Sequence, residues 1–129
     1  MTQTIANITL LVPDYDAAIA FYVDTLGFAL LEDTPLSETK RWVRVAPRGA
    51  ETALLLAQAD GPAQAAVIGR QTGGRVGFFL QTDDFARDYA AMKDKGVTFR
   101  EDPRHEAYGS VVVFEDPFGN LWDLIEPKG

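Results

Sequence analysis

From Ile5 to Val12 the chain alternates with a period of two. Ala6, Ile8, Leu10 and Val12 share one face, and Ile5, Asn7, Thr9 and Leu11 share the other. That is the pattern of a strand. Asp14 follows as a helix N-cap. Ile19, Tyr22, Val23 and Leu26 then recur at i, i+3, i+4 and i+7, which predicts the buried stripe of an amphipathic helix. Gly27 stands where a left-handed C-cap belongs. The same grammar returns in the second half. Val76, Phe78 and Leu80 alternate with Gly77, Phe79 and Gln81; Asp84 caps a helix with the stripe Phe85, Tyr89 and Met92; and Gly96 ends it.

Each helix is followed by a short strand, over 28–32 and 97–100, and then by two strands joined through a turn of proline and glycine. In the first half these strands are 41–46 and 53–57, around Pro47-Arg48-Gly49; in the second they are 110–115 and 121–126, around Asp116-Pro117-Phe118-Gly119. Proline pre-sets φ in such a turn, and glycine tolerates a left-handed backbone. The chain therefore reads as an internal duplication of a βαβββ unit. It is expected to be a single α+β domain over 1–129, with module 1 at about 5–58, a linker at about 58–74 and module 2 at about 75–126. One helix covers only one face of a four-stranded sheet. The predicted architecture is thus two tandem modules forming a curved mixed sheet around a cleft.

Composition narrows the function. Hydrophobic residues make up 47% and charged residues 24% of 129 residues, the profile of a globular protein. No apolar run approaches the roughly 20 residues of a membrane span. The N-terminus has no basic region ahead of its short apolar stretch, so the expected compartment is the cytoplasm, with no membrane partner. A net charge of −7 argues against nucleic acid as a partner. The absence of cysteine excludes disulfides, thiol nucleophiles and cysteine-ligated metals. A single histidine, His105, is present.

The duplication, together with VPDYDAAIAFYVDTLGF near the start and EDPFGNLWDLIEP near the end, resembles the vicinal oxygen chelate superfamily. This is the group of glyoxalase I, extradiol dioxygenases, and fosfomycin and bleomycin resistance proteins. The resemblance implies a cleft fold but no single activity, since the scaffold hosts lyases, dioxygenases and non-catalytic binding proteins. Metal-using members carry ligands on the first and last strands of each half. Those positions fall here on Asn7, on one of Leu54, Leu55 and Leu56, on Gly77 and on Asp123. Only Asp123 is ionisable, and a divalent metal needs several nitrogen or oxygen donors. The expectation is therefore no metal and no cofactor, with a divalent metal held by an unusual ligand set as the alternative.

The cleft-side parity groups Asn7 and Thr9 with Phe79 and Gln81, and Gly77 is expected to leave room for a ligand to approach the backbone. Trp42 is expected in the cleft, Trp122 in the core. The loop PRHEAYGS supplies Tyr108 as a ligand contact and His105 and Glu106 as candidate catalytic residues, a histidine beside a carboxylate being a plausible proton relay. The ligand-binding set is thus Asn7, Thr9, Trp42, Phe79, Gln81, Tyr108 and Asp123. Two functions follow: a metal-free homodimer that binds a small, partly aromatic molecule, or an enzyme resembling lactoylglutathione lyase or a dioxygenase. The enzyme would use either an unusual metal set or His105 and Glu106 without metal.

Overall fold

The computed structural model describes residues 2–129. It divides into two compact units, one ending at Ile68 and the other running from Gly69 to Gly129. The first contains β1 (Asn7–Val12), α1 (Tyr15–Ile19) continued by a π-helical turn (Ala20–Thr25), β2 (Ala29–Pro35), β3 (Arg41–Ala46), β4 (Ala53–Gln58) and α2 (Gly61–Ala65). Its sheet has the order β1-β4-β3-β2, with β1 parallel to β4 and the remaining pairs antiparallel. Leu10, Val12, Val43, Val45 and Leu56 form the face packed under the helix, each no more than 1% exposed. The short α2 lies within the stretch expected to be linker, and Pro62 stands in its first turn.

The Asp14 cap forms as expected, its Oδ2 accepting from the Ala17 amide at 2.8 Å. The helix that follows is wider than the sequence pattern predicts. Leu26 N–H donates to the Phe21 carbonyl at 2.9 Å, five residues back. This π turn inserts one residue into the spiral and lets two consecutive rings face inward. Phe21 and Tyr22 are both buried and meet edge to face at 5.0 Å. The expected stripe shifts accordingly: Tyr15, Ala18, Phe21 and Tyr22 are buried, while Ile19, Val23 and Leu26 are only half-buried.

The second unit contains β5 (Phe78–Gln81), α3 (Phe85–Asp94), β6 (Thr98–Phe99), β7 (Arg104–Glu106), β8 (Gly109–Glu115) and β9 (Leu121–Pro127). Again the first and last strands, β5 and β9, pair in parallel, and β9 pairs antiparallel with β8. Both β6 and β7 lie along the other edge of β8. Pro103, which has no N–H for the ladder, stands between them. The strand β7 occupies what the sequence reads as loop. Trp122 packs in the core, stacked on Phe78 at 4.8 Å and on Phe114 at 5.8 Å. The turn before β9 is held by a buried Asp116. Its carboxylate accepts from the Phe118 and Asn120 amides and from Asn120 Nδ2, at 3.0, 2.8 and 2.7 Å. Gly119 meets the turn's need for φ of 99°. Among the described residues no helix is long and apolar enough to cross a membrane.

Candidate functional site

Strand alternation fixes which side chains stand on the sheet face opposite each helix. In the first unit Asn7, Thr9 and Leu11 on β1 align with Ala53, Leu55 and Ala57 on β4. Leu55 aligns in turn with Arg44 on β3, and Arg44 with Glu32 on β2. The leucine at the family's second ligand position is therefore Leu55. Beside it lies a cavity of about 320 Å³ lined by Thr9, Leu11, Trp42 and Leu55 and, from the helix side, by Tyr15, Arg41 and Leu56. Trp42 is one of the residues lining it. Its neighbour Arg41 points the other way, toward α1. There it pairs with Asp33 at 2.7 Å and Asp16 at 2.9 Å and lies over the Tyr15 ring. The hydrogen bonds from Arg41 hold the Asp33 carboxyl below the usual carboxylate range.

Arg44 is a residue the sequence reading passed over. Its Nε donates to Asn7 Oδ1 at 2.7 Å and its Nη1 to Glu32 Oε1 at 2.8 Å. The contact with Asn7 spans β4, which separates the two strands. At the first ligand position, then, the carboxamide oxygen is already occupied by a guanidinium. The alternation in Arg41-Trp42-Val43-Arg44 could have revealed it, because Arg44 shares the parity of Trp42.

In the second unit Phe79 and Gln81 on β5 align with Asp123 and Ile125 on β9. Phe79 is 65% exposed. Asp123 stands directly across from it, and among the described residues its buried Oδ1 has no hydrogen-bond partner. Burial raises the Asp123 carboxyl above its ordinary range; the charge of Arg104 opposes this, and that of Glu101 adds to it. Arg104 Nε donates to both carboxylate oxygens of Glu101 at 3.1 Å, and its Nη1 lies 3.3 Å from the Tyr108 hydroxyl. Glu106 lies 3.8 Å from Arg104. Tyr108 and Glu106 are therefore brought together, through an arginine whose face is defined only by the strand β7.

Two expectations are corrected here. His105 does not join Glu106. Its ring lies on the α3 side, with Nδ1 2.9 Å from Ser110 Oγ and its edge toward Phe85 at 6.2 Å. Adjacent residues on a strand point to opposite faces, so the sequence neighbours cannot form the relay. The room expected at Gly77 is also filled. A Cβ there would lie 2.4 Å from Thr72 Cγ2, and Thr72 is held by its hydroxyl, which donates to the Arg75 carbonyl at 2.6 Å.

The four family ligand positions therefore carry a carboxamide bound to a guanidinium, a leucine, a glycine beneath a threonine methyl, and one carboxylate. This donor set does not fit a divalent metal.

Comparison with known proteins agrees with this architecture. An uncharacterised protein of Shewanella frigidimarina is 53% identical over 128 residues, which cover 98% of this chain and 95% of the relative. The structure of TnmS3, an antibiotic binding protein from Streptomyces sp. CB03234, matches with a TM-score of 0.80 and 34% identity over 98% of both chains. A member of the same superfamily from Sphaerobacter thermophilus matches with a TM-score of 0.76 and 30% identity, over 97% of this chain and 98% of that one. Residues 4–124 match the family model, so the chain belongs to the glyoxalase/bleomycin resistance protein/dioxygenase superfamily.

Proposed function

We propose that the chain binds a small, partly aromatic molecule, without a metal, on the sheet faces opposite its helices. The observation that carries this reading is the cavity of about 320 Å³ beside Trp42. An aromatic wall, apolar strand residues and a few polar groups are the usual make-up of a small-molecule site. The similarity to TnmS3, an antibiotic binding protein, supports an antibiotic as the class of ligand. A buried carboxylate oxygen without a donor, as at Asp123, suits an N–H or O–H of a bound molecule. The metal-free part of the reading rests on the donor set. A metal-free catalyst built on His105 and Glu106 has less support, because those side chains stand on opposite faces of β7.

The proposal includes a homodimer in the cytoplasm. Ile5, Leu36, Phe79 and Tyr108 are each more than half exposed, and a two-fold contact would cover apolar surface of this kind. Sedimentation at micromolar concentration should give a dimer; a monomer would remove this part.

Tryptophan fluorescence tests the binding. Trp122 is only 4% exposed, so a ligand in the cavity should quench Trp42 alone. Planar aromatic antibiotics titrated into the protein should give saturable quenching that survives in Trp122→Phe and disappears in Trp42→Phe. Quenching that persists without Trp42, or none that saturates below millimolar concentration, would overturn the reading.

A further inference from the structure

We infer that Arg44 is an anion-reading group, so that the ligand is an aromatic acid carrying an oxyanion such as a carboxylate or sulfonate. The inference rests on the small-molecule reading above and adds the ligand's charge to it.

The geometry has three parts. First, the guanidinium is pinned from both sides of the sheet. Nε is held by Asn7 on one edge strand and Nη1 by Glu32 on the other. Two contacts from opposite directions fix a side chain that would otherwise lose much rotamer freedom on binding. Second, the donors are not used up. Among the described residues nothing accepts from Nη2, and a guanidinium presents its N–H groups in a planar fork that matches a carboxylate. The side chain is 22% exposed, so it is reachable but partly shielded from water. Third, the group stands beside the cavity. Arg44 is two residues from Trp42 on the same face of β3 and directly across from Leu55, and both of those residues line the cavity.

The counter-charge does not close the site. Glu32 is 44% exposed, and its attraction is correspondingly screened. A ligand anion in the partly shielded position loses less of its interaction to water. An aromatic body on Trp42 would place an acidic oxygen at its margin next to Arg44.

Two fluorescent probes of nearly the same shape test this directly: anilinonaphthalenesulfonate, which is anionic, and N-phenylnaphthylamine, which is neutral. The native protein should bind the sulfonate at least about tenfold more tightly, the scale expected of a charge-assisted contact. Arg44→Gln should weaken the sulfonate about tenfold more than the neutral probe, with thermal unfolding confirming that the variant is folded. Glu32→Gln leaves Arg44 in place and removes its competitor, so it should tighten the sulfonate and leave the preference between probes larger. Equal binding of the two probes by the native protein, an unchanged preference in Arg44→Gln, or weaker sulfonate binding in Glu32→Gln would each overturn the inference while leaving small-molecule binding intact. If neither probe binds the native protein, the binding reading itself fails, and this inference fails with it.

Discussion

Asp123→Asn is expected to stabilise the protein at neutral pH. A carboxylate oxygen buried without a donor costs about 1–3 kcal/mol, and the cost falls on the charged form. The neutral amide removes that charge but brings N–H groups that need partners of their own, so the net gain should be near the lower end, about 1 kcal/mol. For a domain of this length that corresponds to roughly 3–5 °C in Tm. The sign with pH follows from linkage. Burial holds the Asp123 carboxyl above its ordinary range, so the folded chain binds more protons than the unfolded one across the interval between the two values. Stability therefore falls as pH rises through that interval; the penalty is complete above it and absent below it. Other carboxylates behave oppositely: Asp33, hydrogen-bonded to Arg41, and Asp88, which accepts from Arg87 and Thr82, are held below their ordinary range and lose stabilisation in acid. The difference in Tm between native protein and variant cancels those contributions and isolates Asp123. Measured by calorimetry from pH 8 downward, that difference should shrink toward zero as Asp123 protonates. A variant that is less stable than the native protein at neutral pH, by an amount that fades in acid, would mean that the carboxylate is already well paired, and the reasoning would be refuted.

Gly77→Ala should destabilise by about 1–3 kcal/mol through the overlap with Thr72 Cγ2. The added change Thr72→Ser removes that methyl and keeps the hydroxyl, so the double variant should recover most of the loss in a denaturant-unfolding cycle. Phe21→Ala should cost about 3–5 kcal/mol, whereas Lys93→Ala on the exposed side of α3 should stay within about 0.5 kcal/mol. Equal unfolding midpoints for that pair would contradict the packing assigned to the π turn. Chelation should leave Tm unchanged, and the purified protein should hold substoichiometric zinc, nickel, manganese and iron. One metal ion per chain, lost in Asp123→Ala, would reverse that expectation.

How far the sequence could be read depends on which physical signal each residue leaves. Strand parity is a property of the chain itself, so the faces of Asn7, Thr9, Trp42, Phe79 and Asp123 follow from alternation alone, as does the place of Trp122 in the core. The π turn leaves no such signature. Ile19 and Phe21 flank the buried Tyr22 on opposite sides of the stripe, and in the structure Phe21 is the one buried. The place of His105 is hidden from the sequence for a related reason. Two titratable residues adjacent in sequence look like a pair until the segment is known to be a strand, and Pro103 conceals that β7 forms beyond it. At Gly77 the sequence reports a missing side chain but not what fills the gap, because Thr72 reaches it from a turn with no periodicity. Arg44 was legible in principle, but its partners Asn7 and Glu32 come from strands that become neighbours only through the sheet order.

The family's ligand positions carry different residues in the two modules, and the differences bear on what each face can recognise. A metal site combines a fixed positive charge with open coordination for an oxygen of the substrate. In the first module Arg44 supplies the positive charge, and Asn7, at the family's first ligand position, orients its guanidinium. A second cation placed there would meet a like charge and a leucine. In the second module Asp123 has a glycine covered by Thr72 as its companion, and among the described residues its buried Oδ1 has no hydrogen-bond partner. The first face thus offers fixed donors and the second an unsatisfied acceptor. Recognition by such groups discriminates through hydrogen bonds, because a ligand lacking the matching oxygen or N–H leaves one of them unpaired.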